Sequence, residues 1–359
     1  MKEYIQQSSQ KWLTSIVSHP TNSEILHDSG ANFIPMEIER KVSPLSDLKI
    51  LFRLISLFRH ERFDLIHSIM PKTGFLAMLA GWLSGVPNRV HTFTGQVWAN
   101  KTGWKKKALK AFDRLIVFLS TQILVDSPSQ RDFLISEGIL KPGQGKVIGN
   151  GSICGVNSKR FHPDPQTKSL IRQELNIDAK ATVILFLGRL NRDKGMLDLA
   201  NAFAKVASEA PETVLLLVGA EEDVSYTEIQ KICGDFANHL RRVNFTPNPE
   251  KYMAAADIFC LPSYREGFGQ SIIEAAASEV PTVASRIYGV TDAVEDGVSG
   301  ILFPAGDIDQ LQKNLLTLIK DREMREKMGL AAKKRSLELF SSSIITREII
   351  QLYQGLIET

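Results

Sequence analysis

Residues 181–195 read ATVILFLGRLNRDKG. Through Leu187 the run is almost unbroken in apolar character, as a parallel strand covered on both faces requires. It then breaks into a loop in which Gly188 and Gly195 bracket the cations Arg189 and Lys194. Next comes MLDLANAFAKVASEA, 196–210, whose apolar residues recur at three- and four-residue spacing and predict a helix. Strand, polar loop and helix make one repeat of an α/β sheet.

The same order continues in both directions. Downstream, TVLLLVG (213–219), VNFTP (243–247), IFCLPS (258–263) and PTVAS (281–285) read as strands. SYTEIQKICGDFANHL (225–240), PEKYMAAA (249–256) and SIIEAAAS (271–278) read as the helices between them. Upstream, WLTSIVS (12–18), FDLIHSI (63–69), RVHTFT (89–94) and ILVDS (123–127) alternate with helical patterns at 45–61, 74–85 and 104–120. This alternation predicts the α/β class with two Rossmann-like, doubly wound parallel sheets. A chain of 359 residues exceeds the ~250–300 at which one hydrophobic core stops growing. RFHPDPQTKSLIRQEL, 160–175, with Pro163 and Pro165, reads as a linker entering a short helix. The predicted domains are therefore 1–163 and 164–340, with a final helix, 341–359, returning to the first.

Hydrophobic residues at 43% and charged residues at 23% are ordinary for a soluble globular chain. A net charge of +3 does not by itself point to nucleic acid. Cys154, Cys233 and Cys260 lack metal-ligand spacing and suit reduced thiols in a cytoplasmic compartment. MKEYIQQSSQKW lacks the apolar core of a signal peptide, and no apolar run reaches the ~18 residues of a membrane span.

In open α/β sheets ligands sit beyond the carboxyl ends of the strands, so the loops after each strand carry the candidate chemistry. Arg189 and Lys194 suit a pyrophosphate, each neutralising a different oxygen as a leaving group gains charge. YREGFGQSIIEAAA, 264–277, places Glu266 in a loop and Glu274 in the apolar helix that follows. Backbone N–H groups at the start of that helix form an anion site. Glu274 is better placed to accept hydroxyl protons from a ribose, and Glu266 to hold hydroxyls of a second sugar. Asp307 and Asp309 spell D-x-D but read as an N-cap and a first-turn acid, so no metal is expected.

GRLNRDKG, EGFGQSIIEA and GVSGILFPAGD (297–307) together resemble the retaining glycosyltransferases of family 4, the glycosyl transferases group 1, with an E-x7-E signature at Glu266 and Glu274. The resemblance implies a GT-B fold of two Rossmann-like domains facing a cleft, and a nucleotide-diphosphate sugar as donor. It gives Glu266, Arg189 and Lys194 the catalytic roles, and Arg189, Lys194, Glu266, Phe268, Gly269, Gln270 and Glu274 the donor contacts. PKTG (71–74), HTFTG (91–95) and GNGSICGVNSKRF (149–161) resemble bacterial members acting on polysaccharide or lipid-linked acceptors, with Lys72, Thr94, Gly95 and Asn150 on the acceptor side. No cofactor is implied.

This chain departs from the family pattern in two places. Thr94 stands where many relatives carry a histidine, and His91, three positions earlier, faces the other side of its strand. Relatives also open on a β-strand and a glycine-containing loop, whereas this chain opens on a helix-like stretch. The expectation is a start roughly 20 residues short and an N-terminal domain without its first strand.

QVWANKTGWKKKALKAFDRLIVFL, 96–119, joins Trp98, Trp104, Lys101, Lys105, Lys106, Lys107 and Lys110 to an apolar helix, which suits an anionic bilayer surface. The resulting expectation is a cytoplasmic enzyme, peripheral on the inner face of the membrane. It would move a hexosyl or N-acetylhexosaminyl group from a nucleotide sugar to a lipid-linked or saccharide acceptor in cell-surface glycan synthesis. The alternatives are a non-catalytic sugar-nucleotide-binding subunit or inactive truncated homologue and, within enzymes, a phosphorylase or epimerase on the same fold.

Overall fold

Thr182–Leu187 forms strand β7, the centre of a six-stranded, all-parallel sheet. Its companions are β8 (Thr213–Val218), β9 (Leu240–Val243), β10 (Ile258–Leu261), β11 (Thr282–Ser285) and β12 (Gly300–Phe303), in the order β12-β11-β10-β7-β8-β9. Counted from β7 as the first strand this is the doubly wound order 3-2-1-4-5-6, which reverses between β7 and β10. The computed structural model describes residues 2–22, 29–38 and 43–358. It divides into one unit of Met1–Gly155 with Ser342–Thr359 and another of Val156–Ser341.

The core of the Val156–Ser341 unit follows from its apolar strands. Ile184, Leu185 and Phe186 of β7, Leu215 to Leu217 of β8 and Ile258 to Cys260 of β10 are fully buried. Helices on both faces supply Leu199, Phe203, Val206, Ile273, Leu311 and Leu315 to one continuous cluster. At the amino ends of β7 and β10 an ion pair of a buried arginine and a partly buried aspartate holds the two strands together. Arg172, on the Pro165–Glu174 helix, donates to Asp257 at 2.6 Å and to the carbonyls of Ala255 and Ala181. Asp257 also accepts from the Val183 amide at 2.8 Å and from Lys168 at 2.8 Å. Burial alone raises the Asp257 pKa, but Lys168, Arg172 and the Val183 amide outweigh it and hold the carboxyl below its ordinary range.

In the other unit β3 (Leu65–Ser68), β4 (Asn88–Phe93), β5 (Gln122–Val125) and β6 (Lys146–Val147) form a parallel sheet in that order. A separate parallel pair joins β1 (Ser15–Ser18) to β2 (Asn32–Pro35). Alternate residues of β5 serve opposite faces of the sheet. Ile123 and Val125 pack with Ile50, Leu54, Met78 and Ile116 from the helices Pro44–Glu61, Pro71–Leu83 and Gly103–Leu119. Leu124 packs with Ile345, Ile349 and Tyr353 of the Ser342–Ile357 helix. The Lys2–Lys11 helix joins that second face through Tyr4, whose hydroxyl lies 2.5 Å from that of Tyr353. Tyr353 also hydrogen-bonds His67, which burial keeps neutral with its pKa lowered to about 4.

Several sequence expectations need correction. The unit boundary lies after Gly155, because Val156 and Phe161 are buried in the second unit's core and Val156 donates to the Phe340 carbonyl. VNFTP is not a strand: β9 ends at Val243, and Phe245 is exposed. The helix expected over 225–240 stops at Cys233, where Gly234 takes a positive φ of 54° and the chain tightens into a 3-10 turn. β2, β6, β12 and the Pro128–Ser136 helix are additions, the strands being too short, at two to four residues, for periodicity to show. Trp98 is not interfacial. It is fully buried, stacked on Phe133, and donates to Asp113 at 2.6 Å.

Removing Asp257 strands a buried guanidinium, so Asp257→Ala is expected to cost about 3 kcal/mol of unfolding free energy in urea titrations. A depressed carboxyl contributes stability above its unfolded pKa and loses it as pH falls through the folded value. The gap between wild type and Asp257→Ala should therefore close in acid, and a gap independent of pH would refute this account of the pair.

Candidate functional site

The candidate site grows from the two strands at which the sheet order reverses. β7 runs out through Gly188 and Arg189, and the chain then folds into a 3-10 turn, Arg192–Lys194, capped by Asn191, whose side chain accepts from the Lys194 amide at 2.9 Å. Gly195 closes this turn at φ 68°, so close to the Pro262 carbonyl of the β10 loop that any β-carbon would overlap it. A glycine is therefore required for the two loops to touch. The Tyr264 amide donates to the Asp193 carbonyl at 2.8 Å, Arg265 pairs with Asp193 at 2.9 Å, and the Tyr264 hydroxyl donates to Asp198 at 2.6 Å.

This contact brings together two residues that sequence reasoning placed in separate roles. Lys194 Nζ lies 2.6 Å from Glu266 Oε1, and the buried Ser263 hydroxyl donates to the same oxygen at 2.7 Å. An ammonium has three donors, so Lys194 can hold Glu266 and still face an anion. Arg189 is about half exposed and pairs with Glu222 of the β8 loop, which also accepts from Asn191 at 2.5 Å. Glu222, Asn191 and Ser263 escaped sequence reasoning. For Glu222 the available signal was the acidic run that directly follows an apolar strand.

Beyond Glu266 the chain reaches the Gln270–Ala277 helix, preceded by Gly269 at φ 83° and lacking a side-chain cap. The Ile272 amide donates to the Gly269 carbonyl at 2.8 Å, so the helix starts on its own backbone. Phe268 offers only its backbone, because its ring is buried edge-on against Phe340 at 5.0 Å between centroids. Gln270 reaches towards Glu274 Oε1 at 3.4 Å. Glu274 keeps some solvent exposure, yet the protein around its carboxyl is dense enough that burial raises its pKa to about 7, against smaller lowering by Gln270 and Arg160. A carboxyl poised there is typical of a group held for chemistry or binding.

In the other unit Lys72, Thr94, Gly95 and Asn150 all follow the carboxyl ends of parallel strands, β3, β4 and β6. Lys72 pairs with Asp47 at 2.5 Å. The Thr94 carbonyl accepts from Gln96 and Gln130 at 2.8 and 2.7 Å, and Asn150 is exposed. His91 is buried and bonded to Ser68 at 2.8 Å. Among the described residues, no group of three or more His, Cys, Asp or Glu could hold a metal ion. Asp307 caps the Ile308–Lys320 helix, while Asp309 pairs with Lys205.

Two family models match the chain: one described as Glycosyl transferase 4-like domain over residues 14–151, the other as Glycosyl transferases group 1 over 167–335. The capsular polysaccharide biosynthesis glycosyltransferase CapM of Staphylococcus aureus is 29% identical over 324 residues, spanning 90% of this chain and 84% of CapM. The UDP-Gal:alpha-D-GlcNAc-diphosphoundecaprenol alpha-1,3-galactosyltransferase of Escherichia coli is 27% identical over 84% of this chain and 78% of its own length. Anabaena HepE, solved in complex with UDP and glucose, shares the fold with a TM-score of 0.82 over 99% of this chain and 94% of HepE, at 20% identity.

A carboxyl whose folded pKa is raised favours the folded state in acid and withdraws that support as pH climbs from its unfolded value through about 7. Glu274→Gln removes the penalty. It should match wild type near pH 4 and exceed it by about 1–2 kcal/mol at pH 8, read from urea midpoints. A variant less stable than wild type at pH 8 would show that the surroundings favour the charged form.

Proposed function

The chain belongs to the glycosyl transferases group 1 and has the two-domain GT-B fold, and on that premise we propose that it transfers a hexosyl or N-acetylhexosaminyl group from a nucleoside-diphosphate sugar to a lipid-linked or polysaccharide acceptor, with retention of anomeric configuration. The observation that carries this reading is the convergence of Lys194 and Glu266 at the β7–β10 reversal, with Arg189 on the same loop as Lys194. Doubly wound sheets bind phosphorylated ligands at that reversal. The names of CapM and of the Escherichia coli galactosyltransferase support the acceptor class, and the UDP bound to HepE supports the donor class.

In this mechanism Arg189 and Lys194 take the charge that gathers on the departing diphosphate. The bond between the anomeric carbon and the β-phosphate oxygen breaks, and the acceptor oxygen bonds to that carbon on the same face. The acceptor hydroxyl proton passes to the departing phosphate oxygen, so no side chain need act as base. Glu274 accepts from the ribose hydroxyls and Glu266 from those of the transferred sugar. Cationic side chains stabilise the leaving group, so the proposed reaction uses no metal or prosthetic group.

We further propose that the protein works on the cytoplasmic face of a membrane that carries its acceptor. The Gly103–Leu119 helix supports this with Trp104, Phe112, Leu115 and Phe118 exposed beside Lys101, Lys105 and Lys107. Lys106 and Lys110 do not join them, since both pair with Glu137 and lie over the buried Trp98 ring. Among the described residues, no helix is long and apolar enough to cross a membrane.

Turnover of radiolabelled UDP-sugars with an undecaprenyl-diphosphate-linked sugar acceptor tests the activity. Arg189→Ala and Lys194→Ala should each lower kcat by roughly 100-fold, as loss of a charge-stabilising donor does elsewhere, and Glu266→Gln, which removes the carboxylate that accepts from Lys194 and the sugar hydroxyls, should lower it too. EDTA should leave the rate unchanged, and the product should keep the α-anomeric coupling of an α-linked donor in NMR; an inverted product would sink the mechanism. Vesicles containing phosphatidylglycerol should carry the protein upward in flotation and release the Trp104→Ser/Lys105→Glu/Lys107→Glu variant. Equal flotation of the two proteins would remove the membrane proposal.

A further inference from the structure

The proposed donor site leaves unexplained an acid that contacts both the arginine and the cap of the lysine turn. Beyond the ends of β7 and β8 the two chains stay paired: Gly188 donates to Val218, Leu190 to Ala220, and Glu222 and Val224 both donate to the Leu190 carbonyl. This sets Glu221 opposite Leu190, whose side chain is buried, and ties the Glu222 amide to the Leu190 carbonyl at 3.1 Å. The Glu222 carboxylate spans two partners, with one oxygen accepting from Arg189 Nη1 and the other from Asn191 Nδ2 at 2.5 Å. Asn191, only 7% exposed, in turn accepts the Lys194 amide at 2.9 Å and so closes the turn that carries that lysine.

We infer that Glu222 is a positioning residue for the donor diphosphate, aligning Arg189 directly and Lys194 through Asn191. Resting on the donor-site reading, the inference adds a residue that touches no substrate. A guanidinium has five N–H donors in a planar fork, so the edge that Glu222 does not occupy stays available to phosphate oxygens. Glu222 itself is held by Asn191 and by its paired backbone, so it stays in place when Arg189 engages a ligand. The ion pair is half exposed and adds little to folding stability. Its effect falls on orientation, where a planar donor must meet phosphate oxygens in a set direction.

Calorimetric titration of the full chain with UDP and with uridine tests this, using Glu222→Ala, Arg189→Ala and the double variant. Glu222→Ala should weaken UDP binding roughly tenfold, the loss expected for misaligned charged hydrogen bonds. Uridine binding and Tm should stay near wild type. In the Arg189→Ala background the same change should cost less, since only the path through Asn191 remains, and Glu222→Gln should recover part of the loss. Unchanged or tighter UDP binding, or equal weakening of UDP and uridine, would overturn the inference. Weaker UDP binding in Arg189→Ala alone would then leave the donor-site reading standing, while no change there would remove both.

Discussion

The approach of the Gly195 turn to the Pro262 carbonyl is the constraint on which the candidate site depends. β7 and β10 are neighbours at the sheet's reversal, so their loops leave side by side, but adjacency alone does not make them touch. A residue without a β-carbon at φ 68° lets the two backbones close to contact distance. Only then does Lys194 reach Glu266, and only then do Asp193 and Asp198 reach Arg265 and Tyr264. Gly289 repeats the device one strand further on, at φ 81°, where a β-carbon would overlap the Gly267 carbonyl. The loop holding Glu266 is thus gripped from both sides by backbone packing, which fixes a carboxylate better than a mobile side-chain pair does.

Opposite ends of the same two strands carry opposite electrostatic arrangements. At the amino ends, Arg172 is buried, Asp257 is partly buried, and carbonyls and an amide surround them, so both charges are satisfied and the ends are locked. At the carboxyl ends the Glu274 carboxyl accepts a long contact from Gln270, and burial raises its pKa to about 7.

The strands of the second unit were legible because burial on both faces leaves apolar runs such as VILFL and TVLLLV, a signal that needs no partner to be read. GILF was not, since four residues ahead of Pro304 at a sheet edge carry too little pattern. Glycines beside cations marked Arg189 and Lys194, and an acid in an apolar helix marked Glu274. Their partners were hidden because they come from other loops. Nothing in the order of residues says that Glu222 meets Arg189 across 33 positions, or that Lys194 meets Glu266 across 72. Trp98 misled for the same reason: a tryptophan among lysines reads as interfacial until Asp113 and Phe133 supply a buried partner and a stacking surface.

The pairing of each cation with an acid bears on how an anion enters. Arg189 with Glu222 and Lys194 with Glu266 leave the site close to neutral before a ligand arrives, so the empty protein does not hold two unopposed charges at a strand end. Exposed pairs are worth little, so sharing the donors of Arg189 with a phosphate costs little. Lys194 differs, because its pair with Glu266 is more enclosed and shares the Ser263 hydroxyl. A ligand drawing on Lys194 therefore also changes what Glu266 must accept, and hydroxyl groups of a sugar are suited to fill that role. On the proposed donor reading, this one ion pair couples the diphosphate and sugar ends, so that each end is bound best when both are present.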